Sequence, residues 1–317
     1  MELNHVPVSG IIPTNSRSEI LKRTLLSVGL QSCLPTELII VDASTNNHTK
    51  DLCKEIENCF PFKIIYIKAK TLGAAPQRME GIDLASQPIV WFLDDDIVLE
   101  SDCTQRLWNG FLVMPNVGAV NAMITNQRYT TPGLVTRFMF RLMHGEKLPS
   151  YAGKLIGPAW NLLPEDNETL PEWVECEWLN TTCTMYKRSA LPTPVFSDNF
   201  FGYSLMEDVA LSAIIARKHT LVNARTARIF HDSQPGEHKN KLIDLSRMEL
   251  VNRQYVMTQV LYRTNFKSYS KLFVFELFGI LSTFRSWRGL KSVPEILWGK
   301  LLAIVQLLSG SSTSAKH

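Results

Sequence analysis

Residues 90–100 read VWFLDDDIVLE. An apolar run stops at Asp94, Asp95 and Asp96, and apolar residues then resume. A short run rich in β-branched and aromatic residues, bounded by polar ones, predicts a buried strand. Adjacent carboxylates repel one another and stay ionised together only where positive charge offsets them. In open α/β sheets the carboxyl ends of strands are where ligands bind. The stretch therefore predicts a parallel sheet with a cation-holding site at its edge.

The same rhythm extends on both sides. VSGII, ELIIVD, KIIYIK, PIVWFLDD and VGAVNAM have strand character, while SEILKRTLLSVGLQS, TKDLCKEIENC, GAAPQRMEGIDLA and SDCTQRLWNGFLV place apolar residues at spacings of three and four. This β-α-β-α order over the first 125 residues implies an α/β fold, a Rossmann-like, mainly parallel sheet flanked by helices. Residues 126–180, rich in Pro, Gly and aromatic residues, read as long loops over the sheet. TTCTMYK follows as a strand, EDVALSAIIARK as a helix and TLVNARTARIFHD as a strand ending at His231; residues 240–265 read as helical.

Composition sets the outer limits. Of 317 residues, 45% are hydrophobic and 20% charged, as in a folded globular chain. Six cysteines without paired spacing read as reduced thiols of a cytoplasmic protein. No leader-like start and no apolar run of roughly 18 residues is visible. Charge is uneven, with a balance of −7 over residues 1–216 and +9 over 217–300. The basic part is also rich in Leu, Phe, Ile and Trp, which favours a membrane surface over nucleic acid.

Seven pieces in order, VSGIIPTNSR, ELIIVDAST, GAAPQRMEGI, VWFLDDDIVL, WLNTTCTMYKRSAL, LMEDVALSA and RIFHD, give the chain its resemblance to the inverting, GT-A fold glycosyltransferases of family 2. The resemblance covers about residues 6–232. It implies a nucleotide-sugar-binding half at 1–125 and an acceptor-binding, catalytic half at 126–240. Pro13, Thr14, Asp42, Arg78, Asp94 and Asp95 are then expected on the nucleotide sugar, with a UDP-sugar favoured. Asp96 and His231 are expected on Mn²⁺ or Mg²⁺, hard cations suited to oxygen ligands and to the leaving diphosphate. Asp208 is expected to take the proton of the acceptor hydroxyl, with Glu207 beside it. Residue type alone leaves blander readings open: Asp42 and Asp208 as helix caps, Arg78 as a helix-surface arginine, His231 as structural. The chain departs from the family pattern in PTNSR, which lacks the usual aromatic residue, and in NTTCTMY, which lacks a glycine near the sugar.

Two apolar segments, 272–284 and 296–308, flank the basic RSWRGLK. At about 13 residues each they are too short to cross a ~30 Å hydrocarbon core and suit an anionic membrane surface. Residues 241–309 are therefore expected to form a helical, membrane-associating C-terminal extension, contacting the cytoplasmic face through 271–308, with 310–317 a disordered tail. The acceptor would be a saccharide or lipid-linked, in envelope polysaccharide or glycolipid synthesis. Two rivals remain: a haloacid dehalogenase-like phosphohydrolase using Asp94 and Asp96, and a catalytically inactive membrane-bound scaffold. No glycine-rich dinucleotide fingerprint is present.

Overall fold

The structure is a computed structural model, and it describes residues 4–200, 204–234 and 241–309. Strand β1 (Asn4–Thr14) pairs in parallel with β2 (Cys33–Asp42) on one side and β4 (Ile89–Leu93) on the other. β3 (Lys63–Lys68) extends the sheet beyond β2. Beyond β4 lie β10 (Cys183–Lys187), antiparallel to both neighbours, then β6 (Val117–Ile124) and its parallel partner β11 (Thr220–His231). β5 (Ile97–Leu99) and β9 (Trp173–Cys176) pair antiparallel with opposite ends of β11. The sheet is mostly parallel, and strands from both halves of the chain interleave in it.

Side chains alternate across the strands, so each strand feeds two cores. Ile12, Leu38, Ile40, Trp91 and Leu93 pack with α1 (Ser18–Gly29), α2 (His48–Ile56) and α4 (Cys103–Val113). Ile11, Ile39, Val41, Val90 and Phe92 pack instead with α3 (Ala74–Leu84) and α6 (Glu207–Ile215). Gly81 lets α3 approach closely: a Cβ there would stand 2.4 Å from the Ile11 side chain.

Residues 126–180 are only in part the loops expected. They contain α5 (Leu134–His144), the hairpin β7 (Leu155–Ile156) and β8 (Trp160–Asn161), and β9. The glycines that suggested loops cap a helix: Gly133 precedes α5, and Gly145, at φ 103°, ends it in the left-handed conformation.

The C-terminal part is helical, as expected, but its helices are longer than the apolar segments. α7 (Leu242–Tyr255) runs into a π turn at Val256–Val260, followed by α8 (Phe266–Thr283) and α9 (Trp287–Leu308). Asn265 and Ser286 cap the last two, each accepting a backbone N–H from the first turn. Gly299 packs α9 on α7, its missing Cβ 2.4 Å from the Ile243 carbonyl. Lys300 of α9 reaches Glu249 of α7 at 3.0 Å and Glu276 of α8 at 2.8 Å. The extension thus rests on the domain by one face, and Phe273, Leu277, Leu281, Trp287, Trp298 and Leu301 stay exposed on the other. No described helix is long and apolar enough to cross a membrane. The tail at 310–317 lies outside the described residues.

Candidate active site

The carboxyl ends of β1, β4 and β11 open onto a cavity of about 1240 Å³, closed on its far side by α7, α8 and α9. The three aspartates after β4 do not share one counter-charge. Asp94 takes Nη2 of Arg78 at 2.6 Å. Asp95 accepts the Thr14 hydroxyl at 2.6 Å and Nη1 of Arg17 at 3.2 Å. Asp96 lies 3.1 Å from Nε2 of His231, accepts the Gln234 N–H at 3.3 Å and stands 3.6 Å from Arg17. Asp95 and Asp96 are buried, so the cluster is not a solvated turn.

Burial drives the Asp95 carboxyl up to about 6, against the pull of Thr14 and Arg17, and its two aspartate neighbours add to the rise. Burial would raise Asp96 as well, but His231, the Gln234 N–H and Arg17 outweigh it and hold Asp96 below the ordinary carboxylate range. Asp94, Asp96 and His231 each offer one ligand atom, and these atoms lie within 4.8 Å of one another. Two carboxylate oxygens and an imidazole nitrogen suit Mn²⁺ or Mg²⁺. The Gln127 amide, 3.2 Å from Nδ1 of His231, orients the ring.

Arg78 is not a helix-surface arginine. Its side chain is 2% exposed, and while Nη2 holds Asp94, Nη1 reaches Glu207 at 3.3 Å. The guanidinium lies over the Phe92 ring, 5.7 Å from its centroid. Gly81, three residues on, lets α3 sit low enough on β1 to deliver it. Gln77 fixes the helix start by donating to the carbonyls of Thr14 and Val41, at 3.0 and 2.7 Å. One buried cation thereby links the aspartate cluster to a carboxylate 129 residues away in sequence.

Glu207 and Asp208 open α6 at the cavity wall. Met206, at φ 71°, turns the chain sharply into the helix. Glu207 also accepts the Thr181 hydroxyl at 3.2 Å. One oxygen of Asp208 accepts the Val209 N–H at 2.7 Å, a bond between chain neighbours. Burial raises both carboxyls well above their ordinary range, opposed in each by Arg78. A carboxylate with affinity for a proton near neutral pH is suited to general-base work.

Of the residues singled out in the sequence, Pro13, Thr14, Arg78, Asp94, Asp95, Asp96, Glu207, Asp208 and His231 all line this cavity. Asp42 does not. It ends β2 beside Thr14, but it is fully buried and its oxygens are engaged by Ser44 and by the Tyr66 hydroxyl at 3.1 Å. Its bond to the Ser44 N–H is local, and α2 begins further on. Sequence reading missed Arg17, Thr181 and the charged residues of α7–α9. Arg17 alone carried a signal: a cation three residues beyond a strand end.

A parallel-sheet domain with an acidic, metal-suited cluster at its strand ends and a carboxylate pair across the cavity is a GT-A-like fold. The chain belongs to glycosyl transferase family 2, whose model matches residues 9–191, more than half of it. This membership displaces the phosphohydrolase alternative. Validoxylamine A glucosyltransferase of Streptomyces hygroscopicus subsp. limoneus is 31% identical over 98 residues, 30% of this chain and 22% of that protein, so the match spans under a quarter of that relative's length. Among solved structures, the mannosyltransferase PcManGT from Pyrobaculum calidifontis, in complex with GDP-Man and Mn²⁺, has a TM-score of 0.54 at 12% identity, over 96% of this chain and 88% of that one. S. aureus TarS 1–349 in complex with UDP-GlcNAc has a TM-score of 0.50 at 16% identity, over 83% and 69%. At these identities the likeness is one of fold.

Proposed function

We propose that this chain is an inverting, metal-dependent glycosyltransferase that moves a sugar from a nucleoside diphosphate sugar, a UDP-sugar in first place, to an acceptor hydroxyl. The observation that carries the reading is Arg78, which joins the aspartate cluster to the Glu207–Asp208 pair within one cavity. Residues 1–125 form the donor half and 126–240 the acceptor half. Pro13 and Thr14 border the nucleoside, and Thr14 also steadies Asp95. Asp94, Asp96 and His231 hold Mn²⁺ or Mg²⁺. When bound, the cation supplies neutralisation of the leaving diphosphate. Solved neighbours in complex with GDP-Man and Mn²⁺, and with UDP-GlcNAc, support a donor and a cation of these classes.

Asp208 takes the proton from the acceptor hydroxyl as that oxygen attacks the anomeric carbon. The bond from the anomeric carbon to the diphosphate oxygen breaks on the opposite face, which inverts the configuration. Glu207, fixed by Arg78 and Thr181, aligns the acceptor beside the base. Residues 271–308 rest on the cytoplasmic face of a membrane, supported by exposed Phe284 and Trp287 among Arg285, Arg288 and Lys291. A lipid-linked or saccharide acceptor in envelope polysaccharide or glycolipid synthesis fits that location.

The test is release of nucleoside diphosphate from a panel of nucleotide sugars, with and without Mn²⁺. The expected result is cation-dependent turnover with one nucleotide class, lost in Asp96→Asn, and a product of inverted anomeric configuration by NMR. Absence of both binding and turnover across the whole panel refutes the donor site.

A further inference from the structure

A second cavity, of about 350 Å³, lies between the end of α5, the β7–β8 hairpin and the start of α8. No residue lines both cavities. Its walls are cationic, with Arg263, Lys267 and Lys271 all facing it. Among the described residues none of the three pairs with a carboxylate; Arg263 donates to the Gly157 carbonyl and Lys271 to the Met143 carbonyl. Glu177, also in the wall, is committed elsewhere, to Lys154 at 3.1 Å and to the Leu155 N–H at 2.8 Å. His144 adds a buried Nδ1 that makes no hydrogen bond.

Gathering three cations around one carboxylate that is itself paired with Lys154 is costly. Burial lowers the affinity of Lys271 for its proton, and the charges of Lys267 and Arg263 lower it further. Burial also lowers that of Arg263, with Glu177 opposing. An arrangement built only for stability would offset such charges locally, as Lys300 is offset by Glu249 and Glu276. The 18-residue helix α8 points its positive end the same way. Asn265 already satisfies the Ser268 N–H, so side chains rather than backbone amides would do the recognising.

We propose that this cavity binds a phosphate-class anion, either inorganic phosphate or diphosphate free in solution or the phosphodiester headgroup of an anionic lipid. A planar guanidinium beside two ammonium groups matches the several oxygens of such a group. The volume is at the small end of ligand sites, roughly 300–1,000 Å³, which suits a headgroup better than a whole nucleotide sugar. The inference is independent of the transfer reaction.

The test uses the full chain in EDTA, which keeps the aspartate cluster free of cation. One arm titrates inorganic phosphate and diphosphate by calorimetry. The other floats the protein with vesicles of phosphatidylcholine, alone or mixed with phosphatidylglycerol. Lys267→Gln is the main variant, because among the described residues that side chain makes no hydrogen bond or ion pair that the fold would lose. Lys271→Gln is the second, and Lys50→Gln on α2 is the charge-matched control. A basic residue at such a surface is worth about fivefold in binding, so that loss is expected in Lys267→Gln and Lys271→Gln but not in Lys50→Gln. Saturable binding of phosphate or diphosphate with this pattern assigns a soluble ligand. The pattern in phosphatidylglycerol vesicles alone assigns the lipid headgroup. Equal binding by wild type and Lys267→Gln, an equal loss in Lys50→Gln, or no binding of either probe overturns the proposal.

Discussion

Replacing Arg78 with methionine keeps the bulk of the side chain and removes a buried cation from between Asp94 and Glu207. Deleting one partner of a buried ion pair costs about 3–5 kcal/mol, because the other charge is left uncompensated. Asp94 and Glu207 retain 25% and 12% side-chain exposure, and water at Asp94 screens part of the loss. The low end, about 3 kcal/mol, is therefore expected, or roughly 4–5 °C in Tm for a chain of this size. The deficit must depend on pH. Burial already lifts Glu207 to about 8 and Asp208 to about 6. Carboxyls raised in the folded state contribute stability that is full below their unfolded values, near 4, and is lost as pH rises through the raised ones. Arg78 opposes both shifts, so its removal lifts them further and widens that window. The variant should fall less below wild type at pH 5, where Glu207 and Asp208 hold their protons, than at pH 9. Thermal unfolding by circular dichroism in EDTA at pH 5, 7 and 9 measures this. A deficit that is flat with pH, or larger at pH 5, would show that Arg78 acts through packing alone and would refute the bridge.

Asp208→Asn keeps the shape of the side chain but cannot accept the acceptor proton; kcat should drop by about 10²- to 10⁴-fold with nucleotide affinity unchanged. A drop under tenfold in steady-state assays would move the base elsewhere. Wild type should gain about 2.7 kcal/mol of stability at Mn²⁺ a hundredfold above its Kd, and Asp96→Asn should lose that gain; an equal gain in the variant places the cation at another site. Lys300→Met leaves Glu249 and Glu276 facing each other with Arg253 as their remaining partner. It should cost about 3 kcal/mol in chemical denaturation, and an unchanged midpoint would show that the cavity wall does not depend on this network.

Apart from the three-residue β5, which the sequence did not announce, the strands and helices of the first 125 residues were legible because each apolar run is one element long and the polar breaks fall at its ends. The C-terminal helices were legible as helices, but not their reach, since α8 and α9 continue through polar residues at their starts. α5 was lost to its own punctuation. Pro132, Gly133 and Gly145 have the character of loop residues, whereas a helix of 11 residues fits between them, entered and ended by those glycines. The carboxylates of the site were legible because strand ends announce themselves. Their partners were not: Arg17 and Asp95 are 78 residues apart and Arg78 and Glu207 are 129 apart, and pairings at that range leave no local period.

One part of the site was more legible than the reading allowed. Alternation along a strand decides which core each residue faces. Val90 and Phe92 face α3, and Asp94 continues their parity toward Arg78 on that helix. Trp91 and Leu93 face α1, and Asp95 continues theirs toward Arg17 and the Thr14 hydroxyl. Three adjacent aspartates thus coexist because Asp94 faces Arg78 while Asp95 and Asp96 face Arg17 on the other side, with His231 added at Asp96. The same rule disposes of Asp42. It shares the parity of Leu38 and Ile40, which pack with α1 and α2, and so turns its carboxylate under Ser44 and Tyr66 rather than toward the side that α3 covers. A strand end marks the edge on which a ligand sits; parity then sorts the carboxylates that can reach it from those that hold the edge together.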